Sequence, residues 1–106
     1  MVTRGDIWLV DLDPAVGSEI RKARPCLVIS PPEMLEHLRT VIVAPLTTGS
    51  RAAPFRIPVT HAGKKGLVLL DQIRTVDRIR LARKRGRIRR ETLAATLDVL
   101  RQMFAA

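Results

Sequence analysis

Apolar and polar residues alternate with a period of two along most of this chain and with a period near 3.6 only at its end. Asp6 to Leu12 (DIWLVDL) puts Ile7, Leu9 and Asp11 on one face and Trp8, Val10 and Leu12 on the other, which predicts a buried first strand with apolar character on both sides. The following DPAVGSEIRKARP is bounded by Pro14 and Pro25, holds Gly17 and has a charged middle, so it predicts an exposed, mobile loop. Cys26 to Ser30 (CLVIS) and Thr40 to Leu46 (TVIVAPL) are β-branched apolar runs that predict two core strands, with a short helical stretch around Met34 to Leu38 between them. Phe55 to Val59 (FRIPV) alternates, and Pro58, which has no N–H for a ladder, places it at a sheet edge. The turn HAGKKG joins it as a hairpin to Leu67 to Val76 (LVLLDQIRTV), read as one long strand. Beyond it, Ile79, Leu81 and Ile88 are the bulky anchors for further short strands. From Glu91 to Phe104 the pattern changes: Leu93, Leu97, Leu100 and Phe104 recur at spacings of four, three and four without Gly or Pro, an amphipathic helix. Short strands followed by one terminal helix predict a mainly β fold with helices, an SH3-like β-barrel or curled sheet with the C-terminal helix packed on it.

Composition narrows the class. With 106 residues the chain is expected to form one domain, residues 1–106, and 46% hydrophobic with 27% charged residues excludes a disordered polymer. The limited surface that so short a chain can bury makes a homodimer a natural source of extra stability. The one cysteine, Cys26, has no intramolecular partner for a disulfide, and no basic segment followed by an apolar run opens the sequence, so a cytoplasmic site is expected. The apolar runs fall far short of the roughly 20 residues that span a bilayer, and no membrane association is expected. Net charge is +9, and nine Lys or Arg face one acid, Asp77, between Arg74 and Arg90. That field points to a polyanionic partner. Arg83, Lys84 and Arg85 at its centre are candidate phosphate contacts that would set affinity rather than chemistry.

The blocks RGDIWLVDLDPAVGSE, RPCLVISP, VIVAPLTTGS, PFRIPV and LVLLDQIRTVD, followed by the amphipathic helix, occur in this order from Arg4 to Phe104. Together they resemble the MazF/PemK toxins. The resemblance implies an SH3-like barrel shared with CcdB and Kid and a homodimer that cuts single-stranded RNA at short motifs. It further implies attack by the RNA's own 2′-hydroxyl, no metal or other cofactor, and inhibition by an acidic antitoxin. The matching catalytic positions are Arg24, in Arg-Pro after the first loop, and Thr47, first of the Thr-Thr pair. Arg24 suits the charge that builds on the non-bridging oxygens during in-line attack, because a guanidinium meets two of them at once. Thr47 can donate its hydroxyl to a phosphate oxygen, with Thr48 as a neighbouring RNA contact. Glu19, in the GSE block, is placed by the resemblance near the groove, where it would position Arg24 or nearby loop groups. The general base stays unassigned. This chain also departs from some relatives, carrying Ala23 where they have His before the Arg and Lys22 where they have Gly.

Asp11 and Asp13, with Glu19 or Asp71, could be read as carboxylate ligands for a divalent ion, although Asp13-Pro14 is an ordinary turn start. His61 in the polar turn and His37 in the short helix could move protons near neutral pH, with surface histidines as the plainer reading. Cys26 reads as core packing, and Trp8 and Phe55, the aromatics available for base stacking, read first as core. Two other functions fit the composition: a CcdB-like toxin that binds DNA gyrase without cutting, and a basic module that binds RNA without cutting.

Overall fold

The computed structural model describes Met1–Ala106. Its elements are β1 (Asp6–Asp11), β2 (Ala23–Val28), α1 (Pro32–His37), β3 (Thr40–Thr47), β4 (Arg56–His61), β5 (Lys64–Leu69), β6 (Arg74–Asp77), β7 (Leu81–Arg87) and α2 (Arg90–Met103). Short 3₁₀ turns at Leu70–Gln72 and Arg78–Arg80 precede β6 and β7. The seven strands form one antiparallel half-barrel of order β4-β5-β3-β2-β1-β7, with β6 also paired to β3. No helix is long and apolar enough to cross a membrane.

The two-sided apolar pattern of β1 has a direct structural cause, because the sheet buries a core on each face. Ile7 of β1, Leu27 of β2, and Ala44 and Leu46 of β3 enter one cluster together with Val68 and Leu70, and Leu93, Val99 and Leu100 of α2 pack against it. Val10, Cys26, Val28, Val41 and Val43 enter the other, closed by Leu35 of α1. Pro58 lies on the edge strand β4 opposite Leu67, as its missing N–H requires.

Four expectations need correction. The run Leu67 to Val76 is two strands, because the 3₁₀ turn at Leu70–Gln72 redirects the chain so that β5 pairs with Leu46 and Thr47 while β6 pairs with Thr40–Val43. Second, β2 starts at Ala23, since backbone pairing with β1 extends through Pro25 and Arg24 into the segment read as loop. Third, α2 packs on the core through Leu93 and Leu100 of the expected stripe together with Thr96 and Val99, but the stripe does not reach Phe104. Thr96 is buried because its hydroxyl donates to the Thr92 carbonyl at 2.8 Å, whereas Phe104, past the end of α2, is 73% exposed. Finally, Ile79 anchors nothing and is 85% exposed on the second 3₁₀ turn.

Candidate active site

Antiparallel pairing brings the Arg-Pro and Thr-Thr blocks together. Cys26 of β2 stands opposite Pro45 of β3, so residues just before Cys26 and just after Pro45 reach the same end of the sheet. The β4–β5 hairpin folds over that end. Its turn, Ala62-Gly63, has positive φ at both residues (52° and 76°), the geometry that lets a two-residue loop follow the twist of its strands. On the other side, β7 reaches the site through β1. Ile7 pairs with Gly86 and Trp8 with Lys84, so Arg85 is the unpaired residue of a bulge.

The result is a cleft of about 240 Å³. Arg24 and Pro25 line it from β2, Leu46, Thr47 and Thr48 from the end of β3, Val59, His61, Ala62, Lys64 and Gly66 from the hairpin, and Arg85 from β7. Three cations and two threonine hydroxyls share it with one imidazole, and no carboxylate lines it. The Arg24 Nε donates to the Arg21 carbonyl at 3.2 Å, which orients the guanidinium and leaves its terminal nitrogens without a protein partner. Thr47 Oγ1 accepts from the Gly49 N–H at 3.4 Å, so the hydroxyl proton remains available to a ligand. Gly66 is the residue that permits this arrangement: a Cβ there would stand 2.5 Å from the Thr47 carbonyl oxygen. An anion with several oxygens is the ligand such a site can hold, and a phosphodiester fits it by charge and by donor placement.

The structure therefore brings Arg24, Thr47, Thr48 and Arg85 into one cleft, and it leaves Glu19, Arg83 and Lys84 outside it. Glu19 lines a separate cleft of about 710 Å³ between the β1–β2 loop and the Asp71–Arg74 segment, and its Oε1 accepts from the Val16 N–H at 2.6 Å. The charged groups of that larger cleft are already engaged: Arg56 holds Asp71 by two hydrogen bonds of 3.1 and 3.0 Å, and Arg74 donates to the Leu12 carbonyl at 3.1 Å. Arg83 faces Leu9 in the β1–β7 register, and the Lys84 Nζ lies 3.5 Å from Asp6 Oδ1.

Much of the basic segment serves the fold. Arg78 donates to the Leu38 and Leu35 carbonyls, Arg80 to the Asp11 and Asp13 carbonyls, and Arg87 to the fully buried Asp6 at 2.9 Å. Asp6 also accepts from the Thr3 N–H at 2.8 Å and the Trp8 indole at 3.3 Å. With Arg74 and Lys84, five of the nine cations between Arg74 and Arg90 are occupied this way.

Asp11 Oδ1 accepts from the Asp13 N–H at 3.1 Å, and Asp13 Oδ1 from the Lys22 N–H at 3.0 Å, so both carboxylates shape the loop. No three Asp, Glu, His or Cys side chains gather as metal ligands. Burial pushes the Cys26 thiol up to about 12, against a smaller lowering by Arg74, so it is a packing residue and no nucleophile. His37 is exposed on α1, outside the cleft. The sequence alone leaves His61 between a proton-moving group and a surface histidine, and does not single out Lys64. The signal that could have found them is the hairpin register, because a two-residue turn after His61 places both at the tip that covers Thr47.

A family model for the PemK-like, MazF-like toxin of type II toxin-antitoxin systems matches residues 3–104. Endoribonuclease PemK of Escherichia coli is 39% identical over 79 residues, which make up 70% of this chain and 59% of that protein. The alignment thus spans less than two thirds of that relative's length. Endoribonuclease MazF of Staphylococcus epidermidis is 39% identical over 90 residues, 79% of this chain and 75% of that protein. The crystal structure of MazF from Deinococcus radiodurans superposes with a TM-score of 0.81 at 28% identity, covering 93% of this chain and 92% of that one.

Proposed function

The chain belongs to the PemK-like, MazF-like toxins of type II toxin-antitoxin systems, and from that premise we propose that it is an endoribonuclease toxin that cuts single-stranded RNA without a metal or other cofactor. The observation that carries this reading is the meeting of Arg24 and Thr47 in one cation-lined cleft. The scissile phosphate sits with its non-bridging oxygens on the Arg24 guanidinium, which takes up the charge that grows as the 2′-oxygen attacks phosphorus. Thr47 donates its hydroxyl to the same group and fixes it for in-line attack. Thr48, Lys64 and Arg85 hold the flanking backbone, and Glu19, Arg83 and Lys84, which lie outside the cleft, make no phosphate contact in this reading. The half-barrel with its terminal helix is read as the SH3-like arrangement shared with CcdB and Kid, and residues 1–106 as one toxin unit of the cytoplasm.

An acidic, disordered antitoxin segment laid along the cleft would cover Arg24 and silence the enzyme by mass action. A homodimer is supported by apolar side chains left exposed on the single chain, among them Val16, Ile79 and Phe104.

The test is cleavage of a long single-stranded RNA in excess chelator. The expected products end in a 5′-hydroxyl, and a 2′-deoxy nucleotide just upstream of the cut abolishes cleavage while leaving binding intact. Arg24→Ala lowers the rate by orders of magnitude, and Thr47→Ala removes about 1 to 3 kcal/mol of stabilisation. Cutting of the deoxy substrate at the normal rate would refute attack by the 2′-hydroxyl.

A further inference from the structure

The proposed reaction needs a group that accepts the 2′-hydroxyl proton, and the cleft restricts the choice. Arg24 and Arg85 are guanidinium cations and Lys64 an ammonium, none of which has a lone pair to offer. Threonine hydroxyls are too weakly basic, and no Asp or Glu lines the cleft. Glu19 and Asp71 lie outside the cleft and are committed elsewhere: Glu19 accepts from the Val16 N–H of its own loop and Asp71 is bound by Arg56. One side chain remains. His61 is the last residue of β4, half-buried and aligned by pairing with Lys64 across the turn, and it lines the cleft with Arg24 and Thr47.

Resting on the nuclease reading above, we infer that His61 is the general base, a catalytic residue that takes the 2′-hydroxyl proton during attack. The bond from the 2′-oxygen to phosphorus forms as the bond from phosphorus to the 5′-oxygen breaks. The proton passes to the unprotonated ring nitrogen of His61, and the departing 5′-oxygen takes a proton from water. The products are a 2′,3′-cyclic phosphate and a 5′-hydroxyl, and His61 returns its proton to solvent before the next turnover. Imidazole is the side-chain type suited to this exchange near neutral pH. The charged groups that share the cleft with it are Arg24 from β2, Lys64 from β5 and Arg85 from β7. All are cations, so the site has no carboxylate that could substitute as base.

The test is single-turnover cleavage of single-stranded RNA at saturating enzyme between about pH 5 and 9. It compares the unaltered protein with His61→Ala, the near-isosteric His61→Gln and the control His37→Ala. Because the base acts when neutral, the rate for the unaltered protein rises with pH along an acid limb and then levels. Both His61 variants should lose about 10²- to 10⁴-fold at the plateau and lose the acid limb. Added imidazole should restore cleavage to His61→Ala, and binding of 2′-deoxy RNA should be unchanged in both. His37→Ala should keep the full profile. Cleavage by either His61 variant within about twofold of the unaltered rate, or a loss that is equal at every pH with the acid limb intact, overturns the role of His61. Those outcomes leave the nuclease reading standing. Failure of the unaltered protein to cut RNA removes the nuclease reading, and this inference with it.

Discussion

Gly66→Ala tests the fold and the site with a single methyl group. The added carbon would lie 2.5 Å from the Thr47 carbonyl oxygen, 3.2 Å from its carbon and 3.6 Å from Thr48 Cα, all of them backbone atoms that cannot rotate away. An ordinary carbon–oxygen contact is about 3.3 Å or longer, so β5 and the end of β3 must part by nearly 1 Å. The buried pair Leu46 with Val68 and the pair Thr47 with Leu67 hold those strands together, and opening them strains both. Overpacking of this kind costs about 1 to 3 kcal/mol, read as a lower midpoint in urea unfolding. A shift near 1 Å at Thr47 should cost about 100-fold in single-turnover cleavage of RNA. Gly63→Ala is the informative comparison, because a Cβ there meets nothing within 4 Å although φ is +76°. It should cost about 1 kcal/mol of stability from backbone strain and leave Thr47 in place. A Gly66→Ala protein with stability within about 0.5 kcal/mol of the unaltered one and full cleavage would show that the close approach does not position Thr47.

RNA affinity should fall with salt as three contacts rather than nine predict: the cleft holds Arg24, Lys64 and Arg85, for a log–log slope of about −2 per site, whereas the whole basic segment would give about −6. A measured slope near −6 would put the remaining segment on the RNA after all. Lys22→Gly should raise stability by a few tenths of a kcal/mol, read as a higher urea midpoint, because Lys22 has a φ of 64°, where a side chain costs about 1 kcal/mol, and glycine's entropy offsets part of the gain; a lower midpoint would show that no strain is held there. The hydrogen bonds from Arg56 hold the Asp71 carboxyl below its usual range, so this group's stabilisation is complete above the ordinary carboxylate pKa and disappears as pH falls through the lower folded value. Asp71→Asn should therefore be less stable than the unaltered protein at neutral pH and equal to it in strong acid, and a pH-independent gap between the two would contradict this account.

The strands β1, β3 and β4 and the terminal helix were legible because their apolar periodicity is strong and the cores on both faces demand it. The turn at Leu70–Gln72 was not, since LVLLDQIRTV carries no Gly or Pro there. Its cause is nonlocal: β3 pairs with β5 at one end and with β6 at the other, and one straight strand could not serve both. The sequence singles out Arg24 and Thr47 through the blocks around them and Arg85 through charge, and the fold brings all three to one cleft. Charge alone could not separate Arg85 from Arg78, Arg80 and Arg87, because only folding shows which guanidinium meets a carbonyl or carboxylate of its own chain. Thr96 was invisible for a similar reason, as a hydroxyl that bonds back to its own helix can be buried like an apolar group.

Several departures from regular β geometry lie beside the cleft. Lys22, with positive φ, lies two residues before Arg24 and takes a hydrogen bond from Leu12 on its carbonyl while giving its N–H to Asp13. Ala62 adopts positive φ next to His61, Gly66 presses on the Thr47 carbonyl, and Arg85 is set out of register by the bulge beside Gly86, whose φ is 145°. A regular sheet would point alternate side chains to opposite faces and leave strand ends apart, so it could not direct groups from β2, β3, β5 and β7 into one space of about 240 Å³. Each irregularity re-aims one contributor, at a conformational cost of about 1 kcal/mol where a side chain holds positive φ. The two cores beneath can carry that cost because their burial is continuous on both faces of the sheet. Irregular backbone placed beside the residues that supply the cations, the hydroxyls and the imidazole is what a site for one charged, transient geometry requires.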